Sequence, residues 1–306
     1  MPNFNEPKPD RDLCGYGQSP PMPNWPGKAR LALNFVVNLE EGAEHSLANG
    51  DFCSENYLIE IANRQKMDFE RDFSSESIFE YGSRRGIWRL LNLFEARGLP
   101  LTLFACGKSL ELLPELTAHL SSGAHEVAGH GYRWIDYREV PINLERAHIR
   151  RTIEVIESRC GQRPIGWYTG RRSQHTRALL INEGILYDSE SYSDDLPYWE
   201  VLHGGKAHLI IPYTFDVNDA KYCLAPGWTS GEDFLSYLKN TVCCLYREGE
   251  TSPKMMTVAL HARISGRPGR AEVIHQFLDF IQAYPDLWIT TRKKIAEFWY
   301  TQHPFS

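Results

Sequence analysis

The sequence predicts an α/β fold: a (β/α) barrel of seven or eight parallel strands, in one domain with an irregular N-terminal arm. Three observations predict it. Short apolar runs recur along the 306 residues, and segments of helical period separate them, which is the signature of parallel βα units. Seven or eight such units over this length favour a barrel over an open sheet. Polar groups also gather directly after the apolar runs, where barrels build their sites. Apolar residues at 42% and charged residues at 24% are close to the globular average, enough to bury a sizeable core.

Residues 1–29 are rich in Pro and Gly and form the arm, which ends at Trp25-Pro26-Gly27; the barrel takes residues 30–306. Arg30–Asn38 is a near-continuous apolar run, expected for a strand covered on both faces. Residues 39–75 are a long polar excursion, expected to be functional or an interface arm. Ser83–Arg97 has helical period through Ile87, Leu90, Leu91 and Phe94, with Gly98 as its stop. Leu101–Ala105 is a strand, Leu110–Leu120 a helix, Glu126–His130 a strand, and Asn143–Cys160 an amphipathic helix through Leu144, Ile149, Ile153 and Ile156. Strands are then expected at Ile165–Tyr168, Leu186–Ser189, Leu209–Tyr213, Thr257–His261 and Leu287–Thr290, and helices at Thr176–Glu183, 231–247 and 270–283.

Several classes are excluded. A net charge of −6 with no basic stripe argues against nucleic acid. No apolar run approaches the ~18 residues that span a bilayer. Met1–Asp10 shows no apolar signal core, and the seven cysteines (Cys14, Cys53, Cys106, Cys160, Cys223, Cys243 and Cys244) are odd in number with no Cys-x-x-Cys. Reduced thiols in a cytoplasmic protein are the expectation.

The ends of the apolar runs carry the chemistry: Asn38-Leu39-Glu40-Glu41, then His130, Trp167-Tyr168-Thr169-Gly170-Arg171, Asp188–Tyr192, Tyr213–Asp216 and His261-Ala262-Arg263. A carboxylate, two histidines and two arginines at one mouth suit an acid–base site with anion-binding groups. Each member also has a plain structural reading. Glu40 and Glu41 can be solvated charges, His130 and His261 satisfied core histidines, Arg171, Arg172 and Arg263 ion-pair residues, and Trp167-Tyr168 simply core. A zinc hydrolase using the His130 loop requires a second ligand one turn on, but Trp134 stands there.

Taken in order, these motifs resemble the polysaccharide deacetylase (NodB-like) superfamily, and within it the PuuE-type allantoinase branch. The resemblance rests on Arg11-Asp12-Leu13, Trp25-Pro26-Gly27, Asn38-x-Glu40-Glu41-Gly42, Tyr81-Gly82-Ser83-Arg84, His130–Tyr137, Gly166–Arg171, Asp194–Trp199, Asp216-x-Asn218-Asp219 and His261-x-Arg263. It implies a distorted (β/α) barrel. Metal-dependent members use an Asp pair after the first strand and His-x-x-x-His after the third; this chain offers Asn38 with Glu40, and His130 with Trp134. That departure fits the branch described as working without a bound metal, so no metal or cofactor is expected. Leu39 stands where an aromatic residue is usual, Gly129 where Ser is usual and Ala262 where Cys is usual.

The resemblance implies hydrolysis of a cyclic amide, the hydantoin ring of allantoin opened to allantoate, by a homo-oligomer (a homotetramer in the branch) acting on a small cyclic ureide. Glu40 is then the expected base or water-positioning group. His130 orients water or stabilises the oxyanion, and His261 is the candidate acid, although these roles can be permuted. Asn38, Trp134, Trp167, Arg171, Arg263 and Asp136 are candidate substrate-binding residues, and the backbone amides near Trp167–Gly170 are candidate carbonyl donors. The alternatives are a cyclic imide or dihydropyrimidine hydrolase, a metal-dependent polysaccharide deacetylase, and a non-catalytic binding protein on the same fold.

Overall fold

The computed structural model describes residues 11–61, 63–202 and 204–305. One nine-stranded sheet curls around a central strand, β1 (Leu31–Leu39), in which all nine residues are buried. The chain continues through α1 (Phe73–Tyr81), α2 (Ile87–Glu95), β2 (Thr102–Ala105), α3 (Gly107–Leu112), α4 (Pro114–Leu120), β3 (Glu126–Gly129), α5 (Ile142–Cys160), β4 (Gly166–Trp167), α6 (Thr176–Asn182) and β5 (Tyr187–Asp188). It ends with β6 (Tyr198–Val201), β7 (Ala207–Ile210), α7 (Gly231–Glu248), β8 (Lys254–His261), α8 (Ala262–Ser265), α9 (Pro268–Ile281), β9 (Leu287–Thr290) and α10 (Arg292–Gln302).

The sheet order is β6-β7-β5-β4-β3-β2-β1-β8, and every pairing is parallel except β6 with β7. The distortion sits at β1. Its one edge pairs β8 from Leu31↔Lys254 to Asn38↔His261. Its other edge is divided, with β9 beside Leu31–Asn34 and β2 beside Val36–Leu39. Closure past β7 is loose: the Ala259 amide donates to Val217 O at 3.1 Å and the Met255 amide to Asp195 O at 2.9 Å.

Strand alternation decides what faces the interior. Leu31, Leu33, Phe35, Val37 and Leu39 pack outward against the helices, with Val127, Met256, Val258 and Leu260. Ala32 and Val36 face inward with Phe104, Ala128, Tyr168 and Tyr213. The even positions of β1 therefore put Asn34 and Asn38 on the inner file.

Several elements differ from the sequence expectation. The segment read as Asp194–Trp199 runs on into β6, an antiparallel edge strand whose partly exposed residues carry little apolar signal. α10 follows β9 directly. Leu144 of α5 is largely exposed, while Val155 joins the buried face. The helix expected from Ser83 begins as a π-helical turn, Gly82–Gly86, continuous with α1 and α2. Both glycines have a reason. A Cβ on Gly82 would lie 2.2 Å from Glu41 Oε1, and one on Gly86 would lie 2.0 Å from Ala262 O. The turn thus lets a helix lie directly against two loops of the mouth. The arm, described from Arg11, packs on the barrel through Trp25, whose ring lies among Trp288, Phe298 and Trp299 and whose indole N–H donates to Lys254 O at 3.0 Å. No helix among the described residues is long and apolar enough to cross a membrane.

Candidate active site

Glu40, one residue past β1, is buried to 2% exposure and is the hub of the mouth. Its Oε1 lies 3.1 Å from His130 Nε2 and 3.5 Å from His261 Nε2. Its Oε2 accepts from Arg263 Nη1 at 2.6 Å. Burial alone would raise this carboxyl, but Arg263 and His261 overcome it and hold it well below the usual carboxylate range.

Each histidine is oriented from behind. His130 Nδ1 faces the carbonyl of Tyr168, which only accepts, so Nδ1 carries a proton and Nε2 is turned to Glu40. His261 Nδ1 is 2.6 Å from Asp219 Oδ1, and Asp219 Oδ2 accepts from the amides of His261 at 2.8 Å and Ser265 at 3.1 Å. Burial would lower the pKa of His261, but Glu40 and Asp219 raise it to about 9. His261 is therefore a protonated acid at neutral pH, flanked by two carboxylates.

Glu41 braces the arrangement: its Oε2 accepts from the Glu40 amide at 3.0 Å and its Oε1 from the Arg263 amide at 3.1 Å. Burial pushes this carboxyl up, against the pull of Arg263.

Above the hub lies a cavity of about 70 Å³, lined by Asn38, Glu40, His130 and His261 and walled by Tyr57, Trp134, Tyr168, Arg171 and Tyr213. The long excursion after β1 supplies Tyr57 and Leu58 to its lining. The Arg171 guanidinium lies 4.2 Å from the Trp134 ring centre and 4.7 Å from that of Tyr57, and its Nη2 is buried without a partner. A larger cleft, about 540 Å³, adjoins through Tyr213 and Phe215, but none of the acid–base residues lines it.

The structure thus brings Glu40, His130, His261, Asn38, Trp134 and Arg171 together, and separates three other candidates. Trp167 is fully buried outside the sheet with Ile149, Ile153 and Leu180, because alternation turns Tyr168 inward instead. Gly129, its β3 partner, permits this, since a Cβ there would lie 2.2 Å from the indole. Arg263 stands behind Glu40, under the Phe79 ring at 4.4 Å, and acts on the carboxylate rather than on the cavity. Asp136 caps the turn Tyr137–Glu139, accepting from the Arg138 amide at 3.0 Å, and pairs with the Arg138 side chain. The amides of Thr169 and Gly170 are likewise taken, both donating to Glu190. Sequence reasoning missed Asp219 as the partner of His261; its signal was the Asp216-x-Asn218-Asp219 motif, which reaches the mouth because Asn218 bridges to Ala259 of β8.

The polysaccharide deacetylase family model matches residues 73–184. A putative polysaccharide deacetylase of Schizosaccharomyces pombe is 39% identical over 318 aligned residues, covering 96% of this chain and 98% of that protein. The chain belongs to the polysaccharide deacetylase family. Among solved members, the crystal structure of Puue allantoinase superposes with a TM-score of 0.95 at 44% identity, covering 98% of this chain and all of that one. A probable polysaccharide deacetylase from Pseudomonas aeruginosa PAO1 gives 0.93 at 45% identity, covering 97% and 99%. These likenesses bear out the distorted barrel and the family read from the motifs.

The residues present do not fit the zinc site that the resemblance implies for metal-dependent members. Zinc binds through three deprotonated protein ligands beside its open position. Here Oε2 of Glu40 is held by Arg263, and position 134 is an indole. Among the described residues, no group of three or more His, Cys, Asp or Glu side chains is arranged to hold a metal ion.

Proposed function

We propose that this chain opens cyclic amides of the ureide type, the hydantoin ring of allantoin first among them, with its own side chains carrying the protons. The observation that carries this reading is the single oxygen, Glu40 Oε1, placed against the Nε2 atoms of two histidines. With Nδ1 donating to the Tyr168 carbonyl, His130 turns Nε2 to a carboxylate oxygen, so a proton taken up by the pair is held between the two atoms. Water attacking the ring carbonyl gives its proton to this Glu40–His130 pair. His261 Nε2 delivers a proton to the departing nitrogen as the C–N bond breaks, and Glu40 returns the gained proton to His261. Glu40 is then a relay and an anchor rather than a free base. Arg171 Nη2, buried and without a partner, is the donor available to the carbonyl oxygen as charge develops on it.

Three further points support the reading. The cavity is small and walled by aromatic rings, which suits a flat ring better than a sugar chain. The leaving nitrogen of a hydantoin is conjugated to a second carbonyl, so it departs more readily than an ordinary amide nitrogen and needs less help from a Lewis acid. A solved relative at 44% identity is named an allantoinase.

The test is ring opening by chelator-treated protein on allantoin, hydantoin, dihydrouracil and succinimide, beside acetate release from N-acetylglucosamine oligomers. Ring opening survives the chelator, and Glu40→Gln and His130→Ala each lower kcat by ~10²-fold or more. Acetate release without ring opening, or activity lost to the chelator and restored by zinc, would overturn the proposal.

A further inference from the structure

Asn38 is 1% exposed near the C-terminal end of β1, and its amide nitrogen is turned to a backbone carbonyl and a phenol oxygen. Nδ2 lies 3.3 Å from the carbonyl of Leu260, which only accepts, and also donates to Tyr213 Oη at 2.8 Å. Oδ1 is left buried and without a partner, on a residue that lines the cavity. A buried acceptor left unpaired costs ~1–3 kcal/mol, so such an atom beside a cavity marks the place where a ligand donates. The same side chain adjoins the proton carrier, with Nδ2 3.4 Å from His261 Nε2.

We infer that Asn38 Oδ1 accepts the N–H of the scissile ring nitrogen, making Asn38 the residue that selects substrates with an unsubstituted leaving nitrogen and turns that nitrogen toward His261. This rests on the ring-opening reading above. The chemistry is consistent. The scissile nitrogen keeps its own hydrogen on Asn38 Oδ1 throughout, while its electron pair, freed as the C–N bond breaks, takes the proton from His261. The product leaves with an NH₂ group. A ring bearing a methyl on that nitrogen has nothing to donate and leaves Oδ1 unpaired in the complex. A site built to accept an N–H rejects such an analogue strongly.

The experiment compares hydantoin with 3-methylhydantoin, which is methylated on the nitrogen between the two carbonyls. Each is measured by kcat/KM and by calorimetric Kd on the wild type and on Asn38→Leu, which keeps the volume but removes the acceptor. The wild type prefers hydantoin by on the order of 10²-fold or more in kcat/KM, and Asn38→Leu collapses the ratio to within about tenfold by losing rate on hydantoin alone. A wild type that treats the two rings within about threefold, or a leucine variant that keeps the wild-type ratio, overturns the inference. If Asn38→Leu does not fold, the wild-type ratio decides alone. If neither ring is opened, the reaction reading fails and the wild-type Kd values decide. Tighter binding of hydantoin by about tenfold or more upholds the role of Asn38, and equal or absent binding refutes it.

Discussion

Two arginines are fully buried in this protein, and they are handled in opposite ways. Arg292, at the start of α10, lies at the level of Asn34. Neutral oxygens surround it: Asn34 Oδ1 at 3.1 Å, Thr257 Oγ1 at 2.7 Å, Ser189 Oγ at 2.8 Å, Pro212 O at 2.8 Å and Ile211 O at 2.5 Å. Burial lowers its pKa because no carboxylate shares its immediate shell. Arg263, at the level of Asn38, is matched by Glu40 and Glu41, and its Nη2 is left without a partner. The Arg292 site has its guanidinium hydrogen bonds filled by neutral oxygens, with the nearby carboxyl Glu126 one residue removed behind Thr102, as a structural plug should be. At the mouth, charge is set against charge, and buried polar atoms of Asn38, Arg171 and Arg263 are left over. Such incompleteness is costly in a core and useful where a substrate completes it.

Removing each arginine separates the two designs. Arg292→Met strands five acceptors and is the largest effect, a loss on the order of 5 kcal/mol that urea titration reads as little or no folded protein. The stranded atoms are amide, hydroxyl and carbonyl oxygens, which do not titrate, so the pH dependence left is that of Glu126, a buried carboxyl that Arg292 holds down.

Arg263→Met leaves two buried carboxylates without their cation, a loss of ~3–5 kcal/mol at neutral pH. Here the sign of the pH dependence is distinctive. Without Arg263, burial raises the folded-state pKa of Glu41 still further above its unfolded value, while the two histidines still attend Glu40. The Glu41 contribution is then intact at low pH and is lost as pH rises through the folded pKa. The deficit relative to wild type shrinks as pH falls toward the ordinary carboxylate range of ~4, which denaturation at several pH values measures.

How legible this was in the sequence divides along the same line. The barrel, its strand order of polar ends and the hub residues Glu40, His130 and His261 were readable, because apolar period and strand-end position are local signals. Which residue of a pair turns inward was not. Trp167 and Tyr168 are adjacent and both aromatic, and a strand of two residues, Gly166–Trp167, gives alternation too little length to declare itself. The partnership of Asp219 with His261 and the retreat of Arg263 behind Glu40 depend on contacts between residues 42 and 223 positions apart, which no window of sequence contains. The Gly82–Gly86 turn was visible as a motif, but its reason, the approach to Glu41 and Ala262, exists only in three dimensions.

Asp136 gives the smallest effect and a control for the site. Asp136→Ala removes a turn cap and a half-exposed pair, costing ~0.5–1 kcal/mol in thermal unfolding while leaving KM for the ring substrate unchanged. A large rise in KM would return Asp136 to the binding site.

The most direct test is the pH dependence of kcat/KM for ring opening, compared between the wild type and a His261-partner variant so that the ionisation of the substrate's own imide N–H is common to both. His261 must be protonated to serve the leaving nitrogen, so the wild-type rate falls as pH rises through about 9. Asp219→Asn removes one of the two carboxylates that hold the proton there and moves this alkaline limb to lower pH. If the wild type and Asp219→Asn share the same alkaline limb, His261 is not the acid and the proton route through Glu40 is wrong.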